Sequence, residues 1–375
     1  MCDNSTQIHS DGDPVLSVMM FAAGVVGNLM ALVILGVHQR GRPGKASVFS
    51  ILVTALVLTD LLGTCVVSPP AFIAYARNTS LVGLAGPAGS RGFCNVLAFS
   101  MTFFGLASML ILFAMAVERC LAISHPYIYS KHMRTSFAKV ALTLVYLLSG
   151  SFCSLPLLVR VPYKQYCPGT WCFLRMEGKE LAISLAYISV MALLITAICL
   201  CNTSVIVSLC RMYHSHLVRQ GPAARKGVPW FRRGEEELDH LVLLGSMTII
   251  FIICTLPLTD VGLTSDLEGA ISYRQSPSLL WKPRKSSVQV CGFVCAILPA
   301  NDQKMLLALR FFSLNPILDP WVFIIFRKVV FQRLHSLLRC CLRGPRAPSD
   351  PPSSMPLNTG QIFTSTILPL GELGS

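Results

Sequence analysis

Five ionisable side chains sit inside long apolar runs. They are Asp60 in Leu58-Thr59-Asp60-Leu61-Leu62, the adjacent Glu118 and Arg119, Arg310 in Leu309-Arg310-Phe311, and Asp319 in Leu318-Asp319-Pro320. A charge at the centre of a bilayer costs about 2.5–3.5 kcal/mol on insertion scales, so each needs a partner or a task. Arg310 and Asp319 are nine residues apart, about two and a half helical turns, which turns them to opposite faces and prevents their pairing. An unpaired guanidinium opening on a pocket between helices has the planar fork that grips a carboxylate. Taken singly, Arg310 reads equally well as an arginine snorkelling to an interface, and Arg119 reads better as one.

The elements that must position these groups are membrane helices. The chain has 375 residues, of which 53% are hydrophobic and 13% charged, and its mean hydropathy is +0.61. A soluble domain is not this apolar. Runs long enough to cross a hydrocarbon core of about 30 Å occur at Val15–Val37, Val48–Tyr75, Cys94–Ile123, Phe137–Val159, Leu181–Leu209, Leu241–Thr259 and Met305–Phe326. The fold class is therefore an all-α membrane protein, a bundle of seven transmembrane helices. No short apolar region with a small-residue cleavage site follows Met1, so the first helix is expected to stay as an uncleaved anchor.

Loop charge orients the bundle, because Lys and Arg gather on the cytoplasmic side of short loops. An outside N-terminus puts Arg40, Arg42, Lys45, Lys131, Arg134, Lys139, Arg211, Arg219 and the run from Arg327 to Arg346 inside, with the C-terminus. The net charge of +13 then suits an anionic inner leaflet and an acidic partner; nothing points to nucleic acid. The sequons at Asn4 and Asn78 fall outside as glycosylation sites, whereas that at Asn202 lies within an apolar helix. Of fifteen cysteines, Cys2, Cys94, Cys167 and Cys172 lie at or beyond the outer face, and four cysteines allow three pairings.

Composition divides the chain further. Residues 1–13 form an outer N-terminus and 14–326 the bundle. Within the bundle, 260–291 breaks the apolar pattern with Asp, Glu, Ser, Pro, Trp281 and Lys282-Pro283-Arg284-Lys285, and reads as an insertion in the third outer loop. Residues 327–343 set Phe331, Leu334, Leu337 and Leu338 on one face of a basic helix, expected to lie on the membrane surface. Cys340 and Cys341 at its end are candidates for palmitoylation. Residues 344–375 are a Pro- and Ser-rich tail, expected to be disordered.

Three motifs resemble the rhodopsin-like G-protein-coupled receptors: Gly27-Asn28-Leu29 with Asp60, then Glu118-Arg119-Cys120, and Asn315-Pro316-Ile317-Leu318-Asp319-Pro320-Trp321-Val322-Phe323. In that family the matching Asn28, Asp60 and Asp319 join a polar network. Two acids in one network cannot both be charged cheaply, so a shared proton or a sodium ion near Asp60 is expected; no other metal and no cofactor is. The resemblance makes Glu118 and Arg119 a switch facing the G protein, with Pro257, Asp319 and Pro320 as its moving joints. Cys120, Thr255, Phe323 and Asp319, an Asp where Asn is usual, depart from the residues common in that family, and Tyr146 stands about where its fourth helix has Trp.

These departures resemble one branch, the prostanoid receptors, and Gln165-Tyr166-Cys167-Pro168-Gly169-Thr170-Trp171-Cys172-Phe173 looks like the loop motif of that branch. By the family pattern Cys172 bonds Cys94, leaving Cys2 for Cys167. The resemblance also implies a ligand clamp in which Arg310 holds a carboxylate, the Tyr75 and Thr170 hydroxyls assist, and Trp171 stands beside them. It implies a twenty-carbon prostanoid acid as ligand, prostacyclin first and prostaglandin E2 or D2 as the alternative. The output would run through the stimulatory heterotrimeric G protein to cyclic AMP at the plasma membrane; association with itself or another receptor stays open. An enzyme is not expected, since His125 and His240 lie at inner helix ends without a convergent catalytic set. A transporter would need paired half-helices or a polar pore stripe, and the sequence has neither.

Overall fold

Backbone amides in a bilayer find no water to bond, so apolar stretches close their hydrogen bonds internally as helices. The computed structural model describes residues 5–8, 14–40, 47–132, 135–159, 163–175, 181–219, 242–261 and 301–326. These residues all belong to one compact unit. Seven of its helices are long and apolar enough to cross a membrane. They are α1 (Pro14–Arg40), α2 (Val48–Arg77), α4 (Gly86–Ser124), α6 (Thr135–Leu158), α7 (Leu181–Arg219), α8 (Val242–Val261) and α9 (Asn301–Phe326). The expected seven-helix class is observed; α4 begins eight residues before its apolar run and α7 continues ten residues beyond its own, while the other helices begin and end within four residues of theirs.

Two short helices, α3 (Leu81–Leu84) and α5 (Pro126–His132), and an antiparallel hairpin of β1 (Lys164–Tyr166) and β2 (Trp171–Phe173) complete the fold. Local chemistry sets their limits. Ser47 caps α2 by accepting from the Ser50 amide, and Asn78 ends it in the left-handed region at φ 51°. Ser80 caps α3 by accepting from the Gly83 amide. Such side-chain acceptors satisfy amides that have no partner within the helix.

At the hairpin end the chain is strapped together. The Ser80 amide donates to the Thr6 carbonyl at 3.0 Å and the Leu81 amide to the Gly169 carbonyl at 2.9 Å. Gln165, fully buried, accepts from the Val82 amide and donates to the Ser5 carbonyl. Below this cover α4 packs on α2, α6 and α7, with α1 between α2 and α9. Over their most apolar stretch α2, α4 and α9 are each 56% buried while α6 is 22% buried, which makes α6 the lipid-facing flank.

The seam between α1 and α9 follows from a missing donor. Pro320 has no N–H, so the Pro316 carbonyl four residues earlier lacks its helical partner. The Asn28 side-chain amide donates to that carbonyl at 2.9 Å, and also to the Gly24 carbonyl at 2.9 Å. The Trp321 indole N–H reaches the Ala23 carbonyl at 3.2 Å.

Candidate ligand site and inner switch

The hairpin register pairs Gln165 with Cys172 and Tyr166 with Trp171. Its turn is built on Gly169 at φ 106°, where a Cβ would also meet the Ser80 Cβ at 3.0 Å. Only glycine fits both demands. Cys172 is joined to Cys94 of α4, with Cα atoms 5.5 Å apart. Cys167 is also disulfide-bonded, and Cys2, its expected partner, lies outside the described residues. Tyr163, just before β1, donates to the Cys153 carbonyl at 3.3 Å. Burial pushes its hydroxyl above the ordinary tyrosine range, and the neighbouring Cys153 adds to the effect.

Beneath the hairpin lies a cavity with about 1010 Å³ of empty space, part of it continuous with the surroundings. Met20 and Phe21 of α1, Val67 and Phe72 of α2, Leu97, Met101 and Phe104 of α4, and Phe312 of α9 give it apolar walls. Thr170 and Trp171 stand at the hairpin side, and Asp60, Thr64, Ser108 and Asn315 at the deep side. An apolar chamber with polar groups at both ends suits a long amphiphile better than a compact polar molecule.

The expected clamp residues are placed unequally. Thr170 is buried, and its hydroxyl is 3.5 Å from that of Tyr75. Tyr75 and Arg310 are not among the cavity's lining residues. Arg310 is half-buried. It lies three residues before Ser313, which lines the cavity together with Ile317, so helical periodicity sets it one turn nearer the hairpin on the same flank. Among the described residues nothing bonds its guanidinium.

At the deep side Asp60 accepts from the Ser108 hydroxyl at 2.7 Å, and Asp319 is within electrostatic reach of Asp60. The side-chain oxygens Asn28 Oδ1, Asp60 Oδ2, Asn315 Oδ1 and both of Asp319 are buried and lack a donor. All are hard oxygen acceptors, the donor type that a small cation or a shared proton satisfies.

At the opposite end Glu118 and Arg119 are buried side by side, bonded through Nε and through Nη2 at 2.6 Å. The guanidinium lies 4.7 Å over the Phe49 ring, a favourable cation–π arrangement. Tyr129 of α5 donates to Glu118 at 2.7 Å, a contact that sequence reasoning missed. The only signal was an ordinary loop tyrosine eleven residues on. Tyr146 shares a hydrogen bond with Thr59 at 2.8 Å. Pro257 lies within α8 and Pro320 is buried in α9. Asn78 is exposed at the end of α2. Asn4, Cys340, Cys341, the surface helix, the tail and nearly all of the expected insertion lie outside the described residues.

The sequence profile of the seven-transmembrane receptors of the rhodopsin family matches residues 27–323. The chain is similar to the prostacyclin receptor of Homo sapiens, 46% identical over 100% of this chain and 88% of that one. It is 48% identical to the prostacyclin receptor of Bos taurus, over 94% of this chain and 83% of that one. With the prostaglandin E2 receptor EP2 subtype of Homo sapiens it shares 42% identity, over 91% and 89% respectively.

Proposed function

The chain belongs to the rhodopsin family of seven-transmembrane receptors and, within it, to the prostanoid receptors; from that premise we propose that it answers prostacyclin. It is a receptor and not an enzyme. Binding of the acid shifts the bundle toward a state that engages the stimulatory G protein, raising cyclic AMP. The N-terminus faces outward at the plasma membrane and the C-terminus lies in the cytoplasm.

The observation that carries this reading is the amphipathic chamber under a hydroxyl-bearing hairpin, with Arg310 one turn above its wall. The carboxylate is held by Arg310 with the Tyr75 and Thr170 hydroxyls, a charge-assisted set, and the hydrocarbon runs along Met20, Leu97 and Met101. Glu118 keeps Arg119 engaged until activation frees it for the G protein. The names of the two prostacyclin receptors favour prostacyclin, and that of the EP2 subtype makes prostaglandin E2 the second reading.

The test is cyclic AMP accumulation in cells expressing the full chain, comparing a stable prostacyclin analogue with prostaglandins E2 and D2. The analogue should act at the lowest concentration. Greater potency of prostaglandin E2 moves the assignment to the second reading, and silence to all three removes it.

A further inference from the structure

Among the described residues, none of helix α7 lines the cavity, although α7 packs against α4. An aromatic wall stands between α7 and the cavity. Phe312 of α9 faces the cavity and meets Phe173 of the hairpin edge-on, with ring centroids 6.1 Å apart; Phe173 in turn meets Tyr187 of α7 at 6.1 Å. The Tyr187 hydroxyl is fixed by donating to the Thr102 carbonyl at 3.3 Å.

The wall has its seat at Gly105. A Cβ there would overlap the tip of the Phe312 ring, and it would lie 3.0 Å from the ring's Cε1 and 3.2 Å from the Tyr187 hydroxyl oxygen. The missing side chain is what allows a ring from α9 and a hydroxyl from α7 to converge on the α4 backbone. Phe173 and Tyr187 are fully buried behind the ring, so the open side available to Phe312 is the cavity. Close-packed interiors do not absorb an added methyl without displacement.

We propose that Gly105 is a specificity-determining residue: by seating Phe312 against α4, it sets how far the apolar chain of a bound acid extends into the cavity. This rests on the reading of the chamber as the site of a long amphipathic acid. A methyl group at position 105 turns the Phe312 ring into the space the chain's far end occupies. Long acids lose affinity and short ones keep it. The carboxylate grip keeps all of its residues, since neither Gly105 nor Phe312 belongs to it.

The experiment is competition binding on membranes carrying the full chain, with a stable prostacyclin analogue and the same acid shortened by four carbons at its apolar end. Gly105→Ala should weaken the full-length acid at least about tenfold and the shortened one less than about threefold, at equal surface amount. The double variant Gly105→Ala with Phe312→Leu should return the full-length acid to within about threefold of the parent. Phe312→Leu alone, which needs no accommodation at position 105, should favour an acid lengthened by two carbons at least about threefold relative to the parent chain. Equal losses for long and short acids, failure of the double variant to restore binding, or no gain for the lengthened acid overturns the inference. An unaltered chain that binds none of these acids overturns the functional reading and this inference with it; intact binding with a length-independent loss overturns the inference alone.

Discussion

An arginine placed in an apolar helix snorkels to an interface, or is held by an acid of its own chain or by something the chain binds. Arg310 has no bonded partner among the described residues, and Asp319 is turned away from it by helical phase. Arg310→Ala should therefore weaken binding of the acid roughly ten- to hundred-fold, the loss of one charge-assisted bond, with surface amount unchanged. The methyl ester should bind the parent chain as weakly as the acid binds the variant, and should lose nothing further on Arg310→Ala. An ester as tight as the acid on the parent chain would show that no carboxylate is gripped. Arg310 is legible in sequence because a charge in hydrocarbon is costly. Gly105 and Tyr129 are not, because a helical glycine and a loop tyrosine look ordinary until the ring or carboxylate they meet is in place.

At the scale of elements, apolar length alone marked all seven spans, since a membrane admits few other structures; it missed only the less apolar ends, eight residues at the start of α4 and ten at the end of α7 among the larger differences. The hairpin, α3 and α5 escaped that criterion because elements of three to seven residues owe their existence to contacts with other segments. The seam of α1 and α9 is of the same kind. Gly27 is the point where the Trp321 indole approaches, and a Cβ there would lie 2.8 Å from its Nε1 and 3.2 Å from the Pro320 Cγ. Gly27→Ala should thus destabilise the detergent-solubilised receptor by about 1–3 kcal/mol, read as a fall of several degrees in its melting temperature. Gly36→Ala, on the same helix with nothing within 4 Å of the added carbon, should leave that temperature unchanged or raised, as helix propensity favours alanine. If Gly27→Ala melts like Gly36→Ala, the close approach of the indole contributes nothing.

Across the whole molecule the ligand chamber and the polar network are one continuous feature. Asp60, Ser108 and Asn315 line the deep side of the cavity, and the same Asp60 is within electrostatic reach of Asp319. Five buried acceptor oxygens from Asn28, Asp60, Asn315 and Asp319 lack a donor, and two buried carboxylates repel unless a proton or a cation lies between them. A sodium ion held there would share a wall with the bound acid, so each would alter the other's affinity by the same factor. Agonist affinity measured in sodium chloride should then be lower than in choline chloride of equal ionic strength, by about fivefold, the lower end of ordinary site-to-site coupling. Asp60→Asn and Asp319→Asn each remove one carboxylate charge while keeping an oxygen acceptor, and each should erase most of that difference. Ionic strength is held constant because Arg310 and the acid would themselves weaken in added salt, an effect that choline reproduces and a selective sodium site does not. Equal affinity in the two salts, for the parent chain and for Asp60→Asn alike, would remove the cation and leave the two acids sharing a proton.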